Sequence, residues 1–300
     1  HSNGLGVSSL TTVSSGAALQ LRGGISIGAL PLRLTGTGVS SGGALRNISG
    51  NNSWLGLVTL LTSTTRINSD AGVLTLSGSS SISSTNIGLQ VGGSSGQLVV
   101  SGVMSLGTGA LSKLDGGTLE LRGVNVYSGS TSVSGGVLRV SNSGGLGSSS
   151  VTVSGNNTLE LVGGVSVNNA LVLNGIGVGV GVGALRSVSG NNSWLGSIVV
   201  GSNATYISSD AGVLDIVGVI SGSHNSHGVR YGGLGTVKVS GVSTYTGVTE
   251  VSSGATLLLG NSNVLSSSSN VLFSGGTLSS DGKDVSVGSL SVSSVSELQL

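Results

Sequence analysis

The fourteen residues Gly43–Gly56, GALRNISGNNSWLG, return at Gly183–Gly196 as GALRSVSGNNSWLG, identical at twelve positions and offset by 140. The same offset joins Ser69–Leu74 to Ser209–Leu214, both SDAGVL, and Leu19 to Leu159. Further on it shrinks to 139 for Gly102 and Gly241 and to 118 for Tyr127 and Tyr245. The first copy therefore holds 21 additional residues, at about 103–123. A fold that gains or loses such a block between otherwise matching copies is built from units that touch only their neighbours, which is the defining property of a solenoid.

A shorter ladder gives the size of that unit. The pattern small–Leu–x–Leu/Val recurs at Leu74, Leu98, Leu119, Leu138 and Leu159, with spacings of 24, 21, 19 and 21. In the second copy Leu214, Val237, Leu257 and Leu278 follow at 23, 20 and 21. The extra block is one such rung. Within a rung apolar residues alternate, as in Val151-Val153, Leu159-Leu161 and Val165-Val167, and small or Gly-Gly, Asn-Asn and Ser-Gly pairs punctuate the chain every few residues. Period two with β-branched enrichment reads as strand, and no stretch has helical periodicity. A rung of roughly 20–21 residues accommodates three short strands and their turns, so the expected fold is all-β, a parallel β-helix in which about 14 rungs rise ~4.8 Å each, about 70 Å in all. The expectation is a single continuous β-solenoid over residues 1–300, with its long repeat at roughly 4–140 and 144–260 and the extra rung at 103–123.

Composition fits this and excludes much else. The chain has 56 Gly and 62 Ser among 300 residues, yet 37% is hydrophobic and only 7% charged, which is unlike a disordered chain. Small residues suit turns that must stack closely, and Asn suits left-handed corners. With 2% aromatics, a narrow coil has few large rings to house. A net charge of +1 with scattered Lys and Arg offers no footprint for nucleic acid. The longest apolar run, Leu171–Leu185, is interrupted by Asn174, one-third glycine and short of a membrane span, so no direct membrane insertion is expected. The chain has no Cys, which rules out disulfides and thiolate metal sites. It starts at His1 without an export signal, and both ends fall in mid-pattern: Asn3–Val7 echoes Gly144–Ser148, and Ser293–Leu300 ends on an open strand. A processed product or a segment of something longer is expected.

Few residues offer chemistry. Asp70 and Asp210 are equivalent and far apart along the repeat, so a shared catalytic site is not expected; Asx-type turn capping suits them, and a structural role suits the equivalent Arg46 and Arg186. Trp54 and Trp194, the two Trp residues, could each stack on a sugar ring or a partner if they face solvent; the alternative is a Trp covering an apolar edge beside a turn. His224 and His227, in HNSH, lack the further ligands of a closed zinc site and read as a solvated loop. Asp281-Gly282-Lys283-Asp284 reads as a charged turn. No nucleophile elbow or phosphate-binding loop followed by a helix is present, so no catalytic residue, metal site or cofactor is assigned. Asn-x-Ser/Thr occurs at Asn47, Asn51, Asn156, Asn191 and Asn203.

Lys113–Val140, KLDGGTLELRGVNVYSGSTSVSGGVLRV, and Gly233–Leu259, GLGTVKVSGVSTYTGVTEVSSGATLLL, share the core Tyr-x-Gly-x-Thr and its flanking strands. Both resemble the autotransporter-associated β-strand repeat, whose pattern runs G-x-G-T-L-x-L-S-G-x-N-x-Y-x-G-x-T-x-V-x-x-G-x-L. The blocks with GNNSWLG and SDAGVL resemble the longer arrays of large bacterial surface proteins of this type. That resemblance implies a right-handed β-helical passenger, extracellular at the bacterial cell surface or secreted. Its expected role is structural and not enzymatic: a stalk, adhesin shaft or self-assembling filament subunit. The open ends and weakly charged surface favour self-association, end-to-end or side-by-side. The alternatives are a glycan-binding adhesin passenger contacting host or cell-surface sugars, and a polysaccharide-degrading β-helix enzyme.

Overall fold

The computed structural model describes residues 1–300 except 3, 7, 203, 204, 295 and 300. The sequon asparagine at 203, two residues of the NGLGV segment and residues 295 and 300 of the C-terminal stretch therefore lie outside the described residues.

The chain divides into two units, His1–Ser150 and Val151–Leu300. In the first, each turn supplies one strand to each of three walls. The first wall holds Thr11–Val13, Leu32–Leu34, Val58–Leu60, Ser80–Ser83, Val103–Gly107 and Val126–Tyr127. The second holds Leu19–Arg22, Leu45–Ser49, Arg66–Ser69, Leu89–Gly92, Leu111–Lys113 and Thr131–Val133. The third holds Ser26–Ile27, Asn52–Trp54, Val73–Leu76, Gln97–Val100, Thr118–Leu121 and Val137–Val140. The second unit repeats the plan, from Val151–Val153, Thr158–Val162 and Ser166–Val167 in its first turn to Asn270–Ser274 and Thr277–Ser279 near its end. Every pairing of these strands is parallel, from Thr11 against Leu32 to Thr277 against Glu297. Six turns in one unit and seven in the other make about 13, a parallel β-solenoid, against the 14 expected. Among the described residues no helix is long and apolar enough to cross a membrane.

Alternation fixes what each turn buries. Leu32 and Leu34 point inward and Arg33 outward; Val58 and Leu60 repeat the arrangement one turn on. Leu74, Leu98, Leu119 and Leu138 stack in register, as do Leu214, Val237, Leu257 and Leu278, so the sequence ladder is the core ladder. Burying each such side chain contributes about 1.5–3 kcal/mol. Residues 103–121 add one strand to each wall of the first unit, a complete turn.

Glycine sets how closely the turns approach at the corners. Gly56, Gly78, Gly102 and Gly123 form one column in the first unit, and Gly196, Gly218 and Gly241 form its counterpart in the second. A Cβ on Gly102 would overlap the carbonyl oxygen of Gly78, and one on Gly218 that of Gly196. The preceding turn's backbone fills the space beside each glycine of these columns. Gly28, by contrast, has nothing within 4 Å of its would-be Cβ. Gly102→Ala should therefore destabilise the fold by about 2 kcal/mol or more, through displacement of backbone it cannot avoid. Gly28→Ala should stay within about 0.5 kcal/mol of the parent. Urea unfolding of the two variants checks the pair.

Candidate functional site

Most of the acids along the walls are held by bases on another turn. Arg46 lies 2.5 Å from Asp70, and in the second copy Arg186 reaches both Asp210, at 2.5 Å, and Glu160, at 3.0 Å. Arg66 pairs with Asp115, Lys238 with Asp215 and Arg230 with Glu250. Asp70 and Asp210 are thus ion-pair partners of Arg46 and Arg186, not the Asx caps expected of them. The spacing of 24 residues from Arg46 to Asp70 is one turn, so stacking brings the two side chains together. Glu120 is 5% exposed; burial alone would raise its carboxyl, but hydrogen bonds from Arg122 and Ser141 and the charges of Arg122 and Arg139 outweigh this and hold it below its ordinary value. Asp281 accepts a hydrogen bond from Lys283 at 2.9 Å, as a charged turn should.

Trp54 and Trp194 have no exposed surface. In the strands Asn52–Trp54 and Asn192–Trp194 the indoles face inward, so neither ring offers a face to a sugar, and the edge-covering alternative describes them better. Trp54 Nε1 donates to the carbonyl of Leu30 at 2.8 Å. His224 and His227 sit 5.6 Å apart in a surface loop, where His227 Nδ1 bonds Ser223 Oγ. Among the described residues no group of three or more His, Asp and Glu gathers in one place.

The Tyr-x-Gly-x-Thr motifs build the most organised polar sites, and both are internal. Tyr127 ends a strand of the first wall and Thr131 opens the next strand of the second. Across that corner Tyr127 Oη and Thr131 Oγ1 are 2.9 Å apart, and Thr131 Oγ1 is 2.9 Å from Ser149 Oγ, which donates to the Leu146 carbonyl. The second copy has Tyr245 to Thr249 at 2.7 Å, Thr249 to Ser269 at 3.1 Å, and Ser269 Oγ donating to the Gly247 carbonyl. All six side chains are at most 3% exposed. Burial raises the Tyr127 hydroxyl, partly offset by the hydrogen bonds to Thr131 and Ser149. The glycine between Tyr and Thr lies against the turn before it: a Cβ on Gly129 would overlap the Gly109 carbonyl, and one on Gly247 the backbone of His227. Ser149 and Ser269 complete the chain from one turn further on and were not singled out in the sequence. The signal was there as Asn-Ser-x-x-Leu at Asn142–Leu146 and Asn261–Leu265, whose asparagines cap equivalent turns by accepting from Gly144 N and Asn263 N.

The motif defined by these contacts is a known one. Residues 111–140 and 232–259 match the profile of the passenger-associated-transport-repeat. The chain carries autotransporter passenger repeats. It is also 32% identical over 151 residues to the adhesin BmaC autotransporter of Brucella suis biovar 1 (strain 1330). That match takes in 50% of this chain and 4% of the relative, so the chain spans a small part of the curated protein it resembles. No solved structure matches it.

The first passenger repeat also holds a buried cation. Lys113 occupies an inward position in the column Leu45, Ile67, Val91, Lys113, Val133 and has no exposed surface. Its Nζ donates to the carbonyls of Leu114 at 2.6 Å, Asp115 at 2.8 Å and Gly135 at 2.9 Å, tying two turns together. Burial pushes its pKa down to about 8; Asp115 opposes that shift and Arg66 adds to it.

Two measurements test these internal sites. Thr131→Val leaves both Tyr127 and Ser149 without their shared partner and should cost about 2 kcal/mol, more than Tyr127→Phe at about 1 kcal/mol. A double-mutant cycle of the two should give a coupling of about 0.5 kcal/mol or more. For Lys113, the unfolded chain binds the proton more tightly than the folded chain between pH 8 and 10.5. Stability should therefore rise with pH across that window, by up to about 3 kcal/mol, and Lys113→Met should abolish the rise.

Proposed function

We propose that this chain is a non-catalytic shaft segment of a bacterial surface adhesin, extracellular and displayed at the cell surface or released from it. The observation that carries this reading is the pairing of surface acids with bases on neighbouring turns. A β-helix that hydrolyses polysaccharide by the two-carboxylate route needs one carboxyl kept protonated by its surroundings and a second one facing it across a groove. Here Asp70, Asp115, Glu120, Glu160, Asp210, Asp215, Glu250 and Asp281 each lie against an Arg or Lys. Six of these acids reach a base on another turn and so cross-brace the coil, while Glu120 with Arg122 and Asp281 with Lys283 are local pairs. Asp284 and Glu297, both exposed, stand outside them, and an acid held charged against a base is poorly placed to donate a proton.

Mechanically, parallel hydrogen bonds between turns, stacked aliphatic columns and buried hydroxyl chains resist shear and proteolysis without a cofactor. The relative's name supports the adhesin context, and the passenger repeat supports export. Self-association, end-to-end or side-by-side, belongs to the same proposal, because a weakly charged surface with a net charge of +1 imposes little repulsion between copies. A glycan-binding role would have to use surfaces other than the indoles of Trp54 and Trp194.

Removing one complete turn separates a shaft from a binding site. Deletion of residues 103–123 joins Gly102 to Val124, the same Gly-Val step the second copy has at Gly241–Val242. The shortened chain should fold with a midpoint within about 5 °C of the parent, whereas deletion of 103–112 alone, half a turn, should prevent cooperative folding. Bacteria displaying the parent protein with the full-turn deletion should adhere as well as before. Adhesion lost with the fold intact would place a binding site on that turn instead.

A further inference from the structure

We propose that Asn51 and Asn191 are acceptors for covalently attached sugar, each forming a glycosidic bond through its side-chain amide nitrogen to an activated sugar whose leaving group is a diphosphate. Both head an Asn-Asn-Ser-Trp segment at the same position of the two copies. Strand alternation divides each segment: Asn52 and Trp54 face inward, while Asn51 and Ser53 share the outer face, and Asn192, Trp194, Asn191 and Ser193 repeat this. The acceptor amide and the hydroxyl two residues on, the pair that defines an Asn-x-Ser acceptor, are thus presented together on an extended strand.

The hydrogen bonds leave the reactive atom available. Asn51 Oδ1 accepts from Val73 N at 3.1 Å, and Asn191 Oδ1 from Val213 N at 3.0 Å, each from the turn stacked beside it. The amide is thereby fixed by its oxygen. Among the described residues nothing accepts from either Nδ2, and Ser53 and Ser193 have no side-chain hydrogen bond. A sugar on Nδ2 keeps the Oδ1 bond and displaces none.

The other described acceptor motifs fail on the same criteria. Asn47 is fully buried, and its Nδ2 donates to Ser69 Oγ and Ala71 O at 3.0 Å and to Gly50 O at 3.3 Å. A sugar there would break all three bonds and could not be accommodated in the core. Asn156 is exposed but takes a left-handed backbone, φ 61°, and the hydroxyl of its Thr158 is buried, donating to Gly183 O at 2.9 Å. Geometry therefore selects two of the four.

In the transfer, Nδ2 attacks the anomeric carbon of the donor. The N–C1 bond forms, the C1–O bond to the diphosphate breaks, the diphosphate leaves with the electron pair, and one amide proton passes to a base on the transferase. No oxidant or reductant is needed. Sugar at both positions would clothe the same corner of each copy in hydroxyls, on a surface with few charges of its own.

Peptide mass mapping of the full chain isolated from the cells that make it tests this. Sugar is expected on Asn51 and Asn191 and not on Asn47 or Asn156, with fragmentation of the peptide that carries both Asn47 and Asn51 assigning the site. A single hexose points to a nucleoside-diphosphate donor, and a preassembled oligosaccharide to a lipid-linked one. Asn51→Gln and Asn191→Gln should each remove the mass increment at their own site. Ser53→Ala and Ser193→Ala should also remove it while leaving the asparagine and its Oδ1 bond in place, with folding checked by the thermal midpoint. Unmodified Asn51 and Asn191 in the native material overturn the proposal, as does sugar found on Asn47. The readout is mass, so the outcome is independent of whether the chain acts as a shaft.

Discussion

Parallel hydrogen bonding between successive turns is the constraint from which the other features follow. It holds neighbouring strands about 4.8 Å apart, a distance that every corner as well as every wall must accept. On the walls the spacing is easily met, since inward side chains stack in columns such as Leu74, Leu98, Leu119 and Leu138. At the corners it leaves no room for a Cβ where one turn's carbonyl lies against the next, and columns such as Gly78, Gly102 and Gly123 result. The glycine content that would suggest disorder in another chain is here a packing requirement. Its entropic cost, roughly 0.5–1 kcal/mol per residue relative to Ala, is offset by bonds and contacts that only glycine permits.

The same spacing governs polar groups. A buried hydroxyl or amide needs a partner, and in a stacked coil the nearest one lies a turn away. Thr131 reaches Ser149, Thr249 reaches Ser269, and Asn125 accepts from Met104 N while donating to Gly145 O. Outside, the rule pairs charges: Arg46 with Asp70, Lys238 with Asp215, Arg230 with Glu250. Surface pairs of this kind add little stability individually. What they achieve is local neutrality along each wall, which suits a structural segment better than an electrostatically steered binding site.

Much of this was legible in the sequence because a solenoid makes register and repeat length the same thing. The rung ladder, the whole-turn insertion and the inward Leu and Val positions all follow from counting. What counting missed are polar contacts between residues about a turn apart, which apolar periodicity does not mark. Asp70 read as a turn cap because its partner Arg46 stands 24 residues away. Ser149 and Ser269 fall outside the matched segments 111–140 and 232–259, although each completes a hydroxyl chain that begins inside one. Lys113 sits where alternation places an apolar side chain, and only the three carbonyls converging on its ammonium explain why a cation is tolerated there. Trp54 and Trp194 could be read either way, since alternation cannot say which face is the core without a neighbouring turn to compare.

The two copies differ in an informative way. Asn47, buried and donating to Ser69 and Ala71, is Ser187 in the second copy, which keeps the bond from the neighbouring asparagine (Asn52 to Asn47, Asn192 to Ser187) but has no amide to donate. Asn125, which bridges two turns, corresponds to Ser243, whose hydroxyl is buried without a partner among the described residues. Trp54 finds the Leu30 carbonyl, whereas the equivalent Trp194 Nε1 finds none among them. Internal polar positions have thus been exchanged or left incompletely satisfied, at a cost of about 1–3 kcal/mol for each unpaired group. Meanwhile the outward pair Asn51 and Ser53 returns unchanged as Asn191 and Ser193. The inward Asn52 and Trp54 of the same segment return with them as Asn192 and Trp194, and the buried chain Tyr127–Thr131–Ser149 returns as Tyr245–Thr249–Ser269, so the repeat keeps its strand alternation and corner hydroxyls while single polar partners vary around them.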